Sequence, residues 1–131
     1  MERYIGRFSP QIYALLRIVA GFLFLCHGLQ KVFGVLGGQK PPMWSQFWVG
    51  GVIELVGGLL IVIGLQAGWA AFICSGQMAV AYFQVHQPQG ALPVQNKGEL
   101  AALYCWLFLY IAAQGPGAWS LDGLRRRTRA A

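Results

Sequence analysis

The chain has 131 residues, of which 56% are apolar and only 11% charged, where a soluble domain of ordinary composition is about 45–50% apolar and about 25% charged. The length allows one domain; the hydrophobicity excludes intrinsic disorder, and three scattered cysteines without a Cys-x-x-Cys pair exclude a disulfide-stapled fold. Ten Lys and Arg against four Asp and Glu give a net charge of +6, but the bases gather near the chain ends instead of forming a stripe, which argues against nucleic acid and for topology signals beside membrane spans.

Four apolar segments follow one another, each near the roughly 20 residues that a helix needs to cross a hydrocarbon layer of about 30 Å. The first is expected over residues 10–33. Ser9 stands where an N-cap belongs, and Pro10 suits the first helical position, where no backbone N–H is needed. A cleaved signal peptide is the rival reading of this segment, but no small-x-small cleavage site follows the apolar run, and Leu25 precedes Cys26 where a lipoprotein would carry a small residue. Gly34 to Pro42 then breaks the helix with Gly and Pro.

The second span is expected over residues 48–65, entered through the interfacial aromatic group Trp44, Phe47 and Trp48. Gly64, Gln66 and Gly68 permit a tight turn into the third span, residues 67–84. Spans two and three are rich in small residues (Gly50, Gly51, Gly57 and Gly58 on one, Ala67, Ala70, Ala71 and Ser75 on the other), which let helix backbones approach closely in lipid. Pro88, Gly90 and Pro93 should stop span three, and Pro116 and Gly117 should stop a fourth span over residues 98–115. The fold expected is all-α, a four-helix transmembrane bundle forming a single domain.

An even number of spans puts both termini on one side. That side holds Arg3, Arg7, Arg125, Arg126, Arg127 and Arg129, against Lys31, Lys40 and Lys97 opposite. The excess predicts cytoplasmic termini, and the arginine tail also suits anionic lipid headgroups.

Ionisable residues inside a span are costly and usually face the bundle interior with a partner. His27, Gln30 and Lys31 share one face of the first span by i, i+3, i+4 spacing. Glu54, near the middle of the second, falls at a similar depth to His27. Glu99 opens the fourth span beside His86 and Asn96 of the preceding loop. These seven residues are expected to converge on one outward-facing polar pocket. Each also has a plainer reading: Lys31 and Arg17 as snorkelling side chains, Glu99 as a charge favoured by its helix N-terminus, His27 as a hydrogen-bonded core residue, and Glu54 as a paired structural group. No tight His or Cys spacing points to a metal. Cys26, Cys74 and Cys105 read as small apolar fillers, and Tyr104, Trp106, Phe108 and Tyr110 as packing residues.

In three blocks the sequence resembles the DoxX family of small membrane proteins. They are "LLRIVAGFLFLCHGLQKVFG", "ELVGGLLIVIGL", and "VHQPQGALPVQNKGELAALY" leading to "GPGAWSLD". The resemblance implies a four-helix fold in a prokaryotic plasma membrane and an association with quinol-oxidase or thiosulfate–quinone redox systems. It fixes no reaction. One departure is the turn "GLQAGW", uncharged here where the family often has Thr-Arg. Three functions are therefore expected in turn: a membrane subunit of a redox or respiratory system that holds quinone in the polar pocket, beside other membrane or redox subunits; a non-catalytic accessory subunit of a larger complex; or a pathway for a small molecule or ion. No pair of histidines is placed for haem, so electrons would pass through quinone or a partner's cofactor.

Overall fold

A computed structural model describes residues 1–130. The described residues are helical or loop, with no strand. A short helix α1 (Glu2–Ile5) and a 3₁₀ turn (Gly6–Phe8) run without a break into α2 (Ser9–Phe33). Ser9 therefore does not cap α2: its own backbone is helical (φ −49°, ψ −43°), and capping needs an extended residue. Gly34 closes α2 in the left-handed conformation, φ +70°, with its N–H returning to the Gln30 carbonyl.

Helix α3 (Gln46–Ile63) starts and ends two residues earlier than expected. Its cap is Ser45, whose Oγ accepts from Trp48 N at 3.2 Å. Gly64, φ +69°, ends it and leads into α4 (Ala67–Ala81). Beyond Ala81 the chain widens into a π turn (Tyr82–His86), in which Gln87 N–H reaches back to the Tyr82 carbonyl, and then tightens into a 3₁₀ turn (Gln87–Gln89). Pro88 thus sits inside the helical run, in its 3₁₀ ending, where a missing N–H costs least. After the single turn α5 (Pro93–Asn96) come α6 (Glu99–Gln114) and an arginine-rich α7 (Leu121–Ala130).

The run Glu2–Phe33 and helix α3 are long and apolar enough to cross a membrane; α4 and α6, of 15 and 16 residues, are shorter. The four long helices alternate in direction. Gly28 lies against Leu55 and Gly21 against Gly58, Gly57 meets Cys74, Ser75 Oγ donates to the Cys105 carbonyl at 2.7 Å, and the Phe24 ring packs on Phe108 with centroids 4.7 Å apart. With Gly50 against Gln77, Gly68 against Ala112 and Tyr13 Oη donating to the Gly115 carbonyl as second contacts, each neighbour runs antiparallel, and α6 closes the ring back onto α2.

The packing differs from that of a water-soluble bundle in that small residues crowd the interior while many large apolar side chains lie outside. Ala14, Ala20, Ala67, Ala71, Cys74 and five glycines of α2 and α3 are buried, with Phe24, Ile61, Phe108 and Ile111 filling the space between. Trp69, Phe72, Leu103 and Trp106 point outward, both tryptophans 71% exposed. Water would penalise so broad an apolar surface, whereas lipid accepts it and rewards close backbone contact through small residues. The tightest approach joins α2 to α3. A Cβ on Gly28 would come within 2.6 Å of Leu55 Cα, and one on Gly58 within 2.6 Å of Leu25 N.

Candidate functional site

Two polar clusters interrupt this apolar body. The first lies where α2 begins and α6 ends. Arg17 is fully buried, not snorkelling as its position suggests from sequence. Its guanidinium donates to the carbonyls of Ile61 (2.5 Å), Val62 (2.9 Å), Ala118 (3.2 Å) and Trp119 (2.8 Å). Two of these are last-turn carbonyls of α3, which lack intrahelical donors; a cation there also complements the helix dipole. Asp122 completes the arrangement: its Oδ2 accepts from Ala67 N at 3.2 Å, capping α4, while its own N–H donates to the Gly64 carbonyl at 3.0 Å. The "GPGAWSLD" block is therefore a strap that ties the ends of α2, α3 and α4 together. It also explains how the uncharged α3–α4 turn is held, since Asp122 supplies the charge from outside the turn.

The second cluster lies at the other end and borders a cavity of about 520 Å³. Lys31 Nζ donates to Glu54 Oε1 at 2.6 Å. The carboxylate is 98% buried and the lysine side chain one-third exposed. Gln77 Nε2, on α4, donates to the same oxygen at 3.1 Å. Glu54 is affordable at mid-helix because it is paired, and a carboxylate without that partner would be expelled or neutralised.

His27, Lys31, Glu54 and His86 all line the cavity, together with Gln46, Gln77, Lys97 and Tyr104 and an apolar wall that includes Phe24, Ile53 and Met78. His86 is brought there by the π turn, a feature often found at functional positions. Its Nδ1 lies 3.1 Å from the Asn96 carbonyl; a carbonyl only accepts, so Nδ1 carries the proton and Nε2 is the free ring nitrogen.

The other three expected members of the pocket are elsewhere. Gln30 turns away to donate to the Leu36 carbonyl at 3.0 Å, bracing the α2–α3 loop. Asn96 is buried as a loop clasp: its Nδ2 donates to the Gly90 carbonyl (3.0 Å) and Tyr82 Oη (3.3 Å), and its Oδ1 accepts from Gly98 N (2.8 Å). It therefore seats His86 without lining the cavity. Glu99 is exposed in the first turn of α6, where its charge suits the helix dipole. Gln77, Gln46, Lys97 and Tyr104 were not anticipated. Gln77 had a legible signal, an amide in the middle of an apolar helix that needs a partner; the others depend on loop geometry and helix rotation.

Among the described residues no group of three or more His, Cys, Asp or Glu is arranged to hold a metal ion. Cys74 is buried and free, and Cys26 and Cys105 are half-buried and free.

Comparison with known proteins adds a family and no reaction. The profile of the family described as DoxX matches residues 12–87, from the first turn of α2 through the π turn. An uncharacterized protein of Haemophilus influenzae is 42% identical over 123 residues, covering 88% of this chain and 92% of its own length. An uncharacterized membrane protein of Mycobacterium tuberculosis is 27% identical over 136 residues, covering 87% and 81%. No solved structure matches the chain.

Proposed function

This chain belongs to the DoxX family of membrane proteins, and on that premise we propose that it is a quinone-binding subunit of a redox system in a prokaryotic plasma membrane. The observation that carries the reading is the cavity, of about 520 Å³, with Glu54, Lys31 and two histidines set into an otherwise apolar wall. Small-molecule sites commonly occupy about 300–1,000 Å³ and combine apolar walls with a few convergent polar groups. A quinone has that chemistry, a flat apolar ring with an oxygen at each end, and it arrives from the membrane. When bound it supplies two-electron, two-proton redox chemistry. The residues of this chain hold and orient it. The apolar wall takes the ring and its tail, Lys31 and the free nitrogen of His86 offer hydrogen-bonding positions, and the Lys31–Glu54 pair keeps a charged group near the oxygens without net charge.

All four long helices cross the bilayer in this reading, α4 lengthened by its π and 3₁₀ turns. The six arginines near the termini lie in the cytoplasm, and the cavity faces outward. Electrons are exchanged with a partner redox subunit in the same membrane.

The test is quinone retention. Solubilisation in mild detergent followed by mass spectrometry of extracted lipid should find quinone at near-stoichiometric levels with the native chain and several-fold less with Glu54→Gln. Negligible quinone in both would overturn the reading. If a tightly held protein co-purified instead, the non-catalytic accessory role would take its place.

A further inference from the structure

The polar groups of the cavity are satisfied unevenly. Glu54 Oε1 accepts from both Lys31 Nζ and Gln77 Nε2. Glu54 Oε2, on the same carboxylate, is buried and has no partner, and Gln77 Oε1 is also buried and unpartnered. Both residues line the cavity. Two unpartnered acceptors thus belong to side chains that border the space a ligand would fill, and leaving such groups dry is unfavourable.

The protein does not resolve this by itself. Turning the Gln77 amide over would point its oxygen at Glu54 Oε1 and give up the one bond that it makes there. Exchanging Glu54 for an apolar residue would strand Lys31 in its place. The missing partner is a donor, and with Glu54 ionised by its Lys31 pairing no described group of the chain supplies one.

Quinone and hydroquinone share a skeleton and differ in this property. A quinone carbonyl only accepts, so against Glu54 Oε2 it sets lone pair against lone pair. A hydroquinone O–H donates, and its oxygen still accepts from Lys31. We infer that the cavity binds the reduced, hydroxyl-bearing form of its ligand in preference to the oxidised form, with Glu54 Oε2 and Gln77 Oε1 as the acceptors that discriminate. This inference rests on the quinone reading and sharpens it. The bound species is the electron-rich one, so the partner reaction on this side of the membrane either consumes hydroquinone or has just released it.

The experiment is a binding titration on the full chain in nanodiscs under argon. Three probes are compared: 2,3-dimethoxy-5-methyl-1,4-benzoquinone with one isoprenoid tail, its hydroquinone, and the dimethyl ether of that hydroquinone, which keeps the ring skeleton and loses the donors but is larger by two methyl groups. The hydroquinone is expected to bind at least about tenfold more tightly than either of the others, the ratio that one well-made buried hydrogen bond provides. Gln77→Met and Glu54→Gln should each reduce that ratio at least threefold, and Gln77→Met keeps the Lys31–Glu54 pair if the other variant fails to fold. Equal affinities would mean that solvent satisfies the empty acceptors, overturning this inference while leaving the quinone site intact. Tighter binding of the oxidised form would also overturn it. No binding of any probe would remove both this inference and the proposed function.

Discussion

Arg17 and Glu54 are both charged, both buried in the middle of a helix, and handled in opposite ways. Arg17 makes no direct ion pair among the described residues, yet four carbonyls from α3 and the strap surround it. It is the knot of a closed clasp, built from groups that helix ends and loops leave unpaired. Glu54 has a cationic partner and an amide, yet one of its two oxygens is unpartnered, on a residue that lines a cavity. The first cluster leaves one donor over, Arg17 Nε, among backbone carbonyls that tie three elements together; the second leaves acceptors over on residues that line a cavity, where something can arrive.

The comparison can be broken most severely at Arg17. Arg17→Met should cost about 3 kcal/mol or more, because it strands four carbonyls and unties the strap from α3. Unfolding of the variant in mixed micelles, followed by circular dichroism, checks this; a loss under about 1 kcal/mol would show that the clasp is not structural.

Close behind should come Gly28→Ala and Gly58→Ala, each about 1–3 kcal/mol, since the added methyl would press on backbone that cannot rotate away. Thermal aggregation midpoints in detergent would reveal it, and unchanged midpoints would mean that α2 and α3 sit further apart.

Glu54 sharpens the contrast from the other side. Lys31→Met alone should be clearly destabilising, by about 2 kcal/mol or more, because it leaves a buried carboxylate uncompensated; the double variant Lys31→Met with Glu54→Gln should return to within about 1 kcal/mol of the native chain. That recovery would show that the pair is kept for the cavity and not for stability. Failure of the double variant to recover would place Glu54 with Arg17 as a structural group.

The smallest effect has the opposite sign. Gly76 lies within α4, exposed, with nothing near where a Cβ would sit. Gly76→Ala should stabilise by about 0.5–1 kcal/mol through helix propensity alone, a gain visible in the same micelle assay and absent if α4 packs there against a second protein.

Much of this was legible in residue order, and for a physical reason. Hydropathy, Gly and Pro act locally, so the helical segments and their breaks at Gly34 and Gly64 could be read directly. So could the shared depth of His27 and Glu54, with Lys31 one turn further out, because helical rise is constant and α2 ends near the surface at which α3 begins. Residue order also carried the family, through blocks spread over nearly the whole chain.

Only the folded chain decided which polar groups meet. Arg17 found carbonyls from residues more than forty and a hundred positions away, a pairing that no local pattern encodes. Gln30, Asn96 and Glu99 left the pocket because a loop, a clasp and a helix end each offered a nearer partner or open solvent. Gln77 entered it because the rotation of α4, set by Gly57 against Cys74, turns that amide toward Glu54. Periodicity gives a helix its face, but the neighbour that the face meets depends on how closely backbones approach, and that is settled by packing in three dimensions.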